Sequence, residues 1–149
     1  MIQRIQTLYL LAVVALGIAL IWLPVLQFVS PEGTDLQVYE LSALGGVPLQ
    51  GIWGLTVTTV LIPLLALVDI FLYKKRLLQA RLNIFTVLLC LGYYGVLAIY
   101  VWQAKLALGV EWHVLPWASF PLVCMVLTLM ATRRILKDEA LVRAADRIR

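Results

Sequence analysis

Four stretches of this chain contain no Asp, Glu, Lys or Arg: Ile5 to Val29, Leu41 to Val68, Leu82 to Ala104, and Trp112 to Thr132. An α-helix rises about 1.5 Å per residue, so roughly 20 apolar residues cross a hydrocarbon core of about 30 Å. Each stretch is long enough. Together they use most of the 149 residues, and the hydrophobic content of 63% is far above the roughly 45–50% of soluble domains. The expectation is an all-α membrane protein, a four-transmembrane-helix bundle occupying residues 1–132, with spans at about 5–29, 51–73, 83–103 and 113–132. A charged segment, 133–149, follows as an amphipathic helical tail.

A basic start and an apolar run also describe a secretory leader. Leader cores are usually about 7–15 residues long and end at a small-residue cleavage site. Here "LYLLAVVALGIALIWL" overshoots that length and continues through Pro24, so the first helix is expected to be retained.

Lys and Arg resist translocation, so their distribution orients the spans. Arg4, the group Lys74, Lys75, Arg76 and Arg81, and the tail's Arg133, Arg134, Lys137, Arg143, Arg147 and Arg149 fall on one side, eleven of the twelve basic residues. Lys105 falls on the other, with Glu32, Asp35, Glu40 and Glu111. Both termini are therefore expected in the cytoplasm. Trp22, Trp53, Trp102, Trp112 and Trp117 all lie toward the opposite, outer end, where indoles favour the membrane interface.

The outer segment 30–50 contains "DLQVYEL", whose alternation suits a strand, and "LGGVPLQGIW" beyond it could return as a partner after the Gly-Gly turn. A small β-hairpin in the first outer loop is one expectation. The inner connection "YKKRLLQAR" is short, which makes spans two and three antiparallel neighbours. Pro63 should kink span two, while Gly92 and Gly95 in "LGYYG" suggest a close helix approach. Cys90 and Cys124 lack a nearby partner cysteine in sequence and read as small fillers of the bundle.

Asp69, in "LVDIFLYKKR", is the acid within a span. Intramembrane charge costs on the order of 2.5–3.5 kcal/mol on insertion scales and marks a functional candidate. With Lys74 at the interface, Asp69 lies only about 7–8 Å inside, so it can instead anchor helix ends by pairing with Arg4, Arg81 or Arg133. Thr7, Thr86 and Thr128 fall in a similar layer, so Asp69, Thr86 and Thr128 form the candidate intramembrane polar site. Small multidrug exporters need a membrane-embedded Glu in their first helix, and this first span has no acid. His113 is the single histidine, beside Glu111 in an outer loop. No phosphate-cradling loop, metal-ligand spacing or nucleophile-base set is present. No catalytic residue, metal or cofactor is expected, and no nucleic acid.

The tail "RRILKDEALVRAADRIR" has Glu139 and Arg143 at i,i+4 and Asp146 and Arg149 at i,i+3, with Leu141, Ala145 and Ile148 along one stripe. Its six basic residues (Arg133, Arg134, Lys137, Arg143, Arg147 and Arg149) are the candidate cytoplasmic interaction set, suited to anionic headgroups. The interspersed acids suit a protein partner or a second copy. The opening "MIQRIQTLYLL" and closing "LKDEALVRAADRIR" resemble a bacterial four-span membrane protein family, domain-of-unknown-function family forty-two ninety-three. The resemblance implies a multi-pass protein of the bacterial inner membrane and carries over no activity or site residue. The functional expectation is a non-enzymatic interaction or scaffold protein using its basic cytoplasmic face and tail. The alternative is a small oligomeric transporter or channel with Asp69 as its coupling acid.

Overall fold

The computed structural model describes residues 3–29, 35–39, 53–73, 75–108 and 111–146. In chain order they form α1 (Gln3–Trp22), β1 (Pro24–Val29), β2 (Asp35–Tyr39), α2 (Trp53–Phe71), α3 (Arg76–Leu108), β3 (Glu111–Val114), a 3₁₀ turn (Pro116–Ser119) and α4 (Phe120–Asp146). The four helices are each long and apolar enough to cross a membrane. The expected four-helix bundle is therefore the fold, with a small sheet at one end.

Neighbouring helices pack in a ring, α1 on α2, α2 on α3, α3 on α4, and α4 back on α1. Every contact is antiparallel. Gln6 of α1 reaches Asp138 of α4, and Val13 meets Cys124. The Asp69 carbonyl on α2 accepts from Gln79 on α3, whereas Gly54, at the other end of α2, lies against Tyr100. We call the end where α2 passes into α3 the basic end, and the opposite one the sheet end.

The buried positions explain the ring. They run Gln6, Leu10, Val13, Gly17, Leu20 on α1; Leu55, Thr59, Ile62, Ala66, Asp69 on α2; Gln79, Asn83, Thr86, Cys90, Tyr93, Leu97 on α3; and Pro121, Cys124, Thr128, Ala131, Ile135 on α4. Steps of three and four alternate, the 3.5-residue seam that keeps one face of a helix on its neighbours. That seam mixes Gly, Ala, Cys, Thr and amides with larger groups such as Leu10, Leu20, Ile62, Tyr93 and Ile135, whereas Leu8, Leu11, Ile18, Leu64, Ile84, Leu88 and Leu122 point outward. In water such a surface would be a severe aggregation liability. In lipid it fits, because burying Leu between helices gains little over leaving it against acyl chains, so small residues that permit close packing can share the inside with large ones.

Gly17 illustrates the closeness. A Cβ there would sit 2.9 Å from both Cβ and Cδ of Pro63, so the prolyl ring of α2 fits the notch that glycine leaves in α1. Pro63 is buried inside a continuous α2, and its visible role is this packing. Gly92 and Gly95 do not serve the same purpose: both are exposed, with nothing near a would-be Cβ. The α3 seam passes through Cys90, Tyr93 and Leu97 and turns those glycines away from the bundle.

Several boundaries differ from the sequence reading. The first span does not run to residue 29. Pro24 lacks an amide proton and disfavours helical geometry in the residue before it, so α1 stops at Trp22 and Pro24–Val29 become β1. The strand expected in "DLQVYEL" forms as β2, but its partner is β1, which also pairs with β3 in the antiparallel order β2-β1-β3. Gln27 thus faces both Gln37 and His113. The partner expected in "LGGVPLQGIW" falls on residues 44–52, outside those described, up to Trp53, which opens α2.

The inner connection is shorter than expected. "RLLQAR" contains no Gly or Pro and consists of good helix formers, so α3 begins at Arg76 and runs through Leu108 instead of occupying 83–103. At the fourth span, residues 113–115 belong to β3 and its exit, Pro116 opens the 3₁₀ turn, and α4 starts at Phe120 and continues to Asp146 without a break at Thr132. Its entry is fixed by Tyr94, whose hydroxyl donates to the Ala118 carbonyl at 2.9 Å and accepts from the Leu122 amide at 3.0 Å.

Two apolar layers fill the bundle. Leu20, Leu55, Tyr93, Leu97 and Ala118 join Val25 and Leu26 of β1 at the sheet end. Val13, Ile62, Ala66, Cys90 and Cys124 form the middle. Both cysteines are free and buried. The basic end is built differently.

Candidate functional site

Toward the basic end the buried side chains turn polar. Gln6, Asp69, Gln79, Asn83, Thr86, Thr128 and Thr132 are all buried there, so all four helices contribute. Most of these groups have local partners. Thr86 donates to the Leu82 carbonyl, Thr128 to Cys124, and Thr132 to Thr128, each closing an i−4 bond within its own helix. Gln6 Nε2 donates to Asp138 Oδ2 at 2.8 Å and ties the ends of α1 and α4 together.

Asp69 is the exception. It is 1% exposed, and neither carboxylate oxygen has a hydrogen-bond partner among the described residues. The side-chain amides of Asn83 and Gln79 lie beside it. Gln79 Nε2 is directed to the Asp69 backbone carbonyl at 3.3 Å, and Asn83 Nδ2 is itself buried without a partner. Two buried acceptors and one buried donor at this end of the bundle are thus without a hydrogen-bond partner among the described residues. A buried carboxylate in that state costs several kcal/mol relative to water.

The residues singled out from sequence separate into groups. Asp69, Thr86 and Thr128 are all buried at this end, but the two threonine hydroxyls are used within their own helices and do not address the carboxylate. Thr7 is exposed. Arg81 and Arg133 are also exposed and do not pair with Asp69, because the α3 and α4 seams place them on outward faces. The Arg4 side chain lies outside the described set.

Of the tail residues, Arg133, Arg134 and Lys137 are exposed on α4. The Arg143 side chain and residues Arg147 and Arg149 lie outside the described set. Among the described residues no three His, Cys, Asp or Glu side chains gather as metal ligands.

Sequence reasoning missed Gln79 and Asn83, the amides nearest the carboxylate, together with Gln6, Thr132 and Asp138. The signal was available. Gln79, Asn83, Thr86, Cys90 and Tyr93 continue the three-four spacing, but reading "YKKRLLQAR" as a connection hid its first members.

The helix that supplies those amides also opens a surface groove. Lys75, Arg76 and Arg81 at the start of α3 face Glu139 and Val142 of α4 across a space of about 600 Å³, with Leu77 and Leu78 on its wall. This groove exists because α4 keeps its helical course past Thr132, bringing a charged turn alongside the first turns of α3.

The sequence profile of Domain of unknown function (DUF4293) matches residues 2–148. The chain belongs to this family. No curated protein and no solved structure matches it. The DUF4293 match covers the bundle, the sheet and the extension of α4 alike.

Proposed function

We propose that this DUF4293 protein is a non-enzymatic interaction or scaffold protein of the bacterial inner membrane, with its basic end and both termini in the cytoplasm. The observation that carries this reading is the unbroken α4. It runs from Phe120 to Asp146 and presents Arg133, Arg134 and Lys137 on exposed positions beside the basic start of α3. Anchoring a span requires only a few basic residues at its end. A helix that continues with mixed charges and packs against its neighbour supplies a rigid surface for a partner.

Affinity isolation from native membranes tests this, comparing the parent with a chain in which Arg133, Arg134 and Lys137 are all changed to Glu. Loss of specific co-purifying proteins from the variant, with insertion unchanged, is expected. An identical partner set would exclude this face.

A second reading is favoured by one observation, the buried Asp69 carboxylate without a partner. In that reading the protein is a small oligomeric transporter or channel, and Asp69 couples movement of a proton or substrate. Flux into proteoliposomes separates the two: transport abolished by Asp69→Asn in a normally folded protein would replace the interaction reading.

A further inference from the structure

We propose that the groove between the start of α3 and the extension of α4 is a binding site for one acidic phospholipid of the surrounding leaflet. The inference rests on the reading above only in placing the basic end at a membrane surface.

The groove is amphipathic along its length. Its first part is lined by Lys75, Arg76 and Arg81, with Glu139 opposite. A second hollow of about 270 Å³ adjoins it, sharing Arg76, Leu77 and Glu139, and is completed by Ile135, Leu136 and Ala140. Along α4, Ile135 and Leu136 lie deeper toward the apolar span than Val142 of the first part. On α3 the cations extend from Lys75 and Arg76 at the outer edge to Arg81, five residues or about 7–8 Å nearer the hydrocarbon, with Leu77, Leu78, Ile135 and Leu136 interleaved among them. Cations set beside exposed aliphatic groups suit a phosphodiester headgroup together with the upper part of its acyl chains.

Leu77, Leu78, Leu136 and Val142 are all substantially exposed around the groove, an arrangement that suits lipid better than water. Farther down α3, Ile84, Phe85 and Leu88 continue an exposed apolar surface on which chains can lie. A soluble acidic peptide or free phosphate would leave this wall uncovered. Three cations against a single carboxylate favour a net negative headgroup over a zwitterionic one. Guanidinium groups at Arg76 and Arg81 can also engage phosphate oxygens through paired N–H donors.

Native mass spectrometry of the purified full-length chain in detergent tests the proposal, titrating phosphatidylglycerol, phosphatidylcholine and glycerol 3-phosphate separately. The variant is Arg76→Gln with Arg81→Gln. The control is Lys105→Gln, which removes an exposed cation at the sheet end, far from the groove, and circular dichroism checks that each retains its helix content. One phosphatidylglycerol is expected to bind in preference to phosphatidylcholine. The groove variant should weaken it by at least ~10-fold, since each basic residue near an anionic headgroup contributes roughly fivefold, while the control changes it by less than about threefold.

Equal binding of both lipids, equal loss in variant and control, or competition by glycerol 3-phosphate at the same concentration would each overturn the site. The last result would mean that the groove takes a free phosphate ester. Because the assay has no membrane orientation and no protein partner, its failure leaves the interaction reading standing, and loss of partners in the isolation experiment leaves the lipid result standing.

Discussion

Asp69 and Gly17 show how much a single position decides in a bundle of this kind. Asp69 carries a buried carboxyl group whose oxygens have no hydrogen-bond partner among the described residues, so it does not act as a tether between helix ends. Replacing an unpaired buried carboxylate with an uncharged amide of the same shape removes a cost instead of a contact. Asp69→Asn should raise the midpoint of thermal unfolding in detergent, and a fall of several degrees would show that the carboxylate holds the helices together. Gly17 is the reverse case, a position where nothing but hydrogen fits against Pro63. Overpacking of this type costs about 1–3 kcal/mol. Gly17→Val should lower the same midpoint, whereas Ala15→Val, on the exposed face of α1, should leave it nearly unchanged.

At the scale of elements, the starts and stops of helices are where sequence and structure part. The four apolar runs announce four helices because nothing but a span needs so many uncharged residues in a row. Residues 24–29, "PVLQFV", are equally apolar, and an apolar run that short has no periodicity to distinguish strand from helix. Pro24 was the available clue. The polar layer was legible in part: Asp69 stands out in an apolar span, but Gln79 and Asn83 look like loop chemistry until α3 is extended back to Arg76. The groove was not legible, because it depends on how far α4 continues and on which turn of α3 it meets.

Tyr94 belongs to this scale too, since its hydroxyl bridges the Leu122 amide and the Ala118 carbonyl where the 3₁₀ turn passes into α4. Tyr94→Phe should cost about 1 kcal/mol and speed hydrogen exchange at the Leu122 amide. Unchanged exchange there would mean that the helix start is held by other contacts.

The molecule as a whole is polar inside at one end, apolar outside along its length, and capped by a three-stranded sheet at the other end. Trp22, Trp53, Trp102 and Trp117 are exposed around the sheet end, and basic side chains gather at the other. Both patterns follow from the same rule, that indoles settle at interfaces and cations resist translocation. The account of function depends on that polarity, since the α4 extension and the groove serve a cytoplasmic partner or leaflet only if the basic end faces inward.

Cysteine labelling with a membrane-impermeant maleimide measures it directly. Cys90 and Cys124 are buried in the middle of the bundle and should stay unlabelled in the folded protein, so single added cysteines report each end. Lys105→Cys should be labelled in intact spheroplasts and Lys137→Cys only after the membrane is opened. Labelling of Lys137→Cys in intact spheroplasts, with Lys105→Cys protected, would contradict the account.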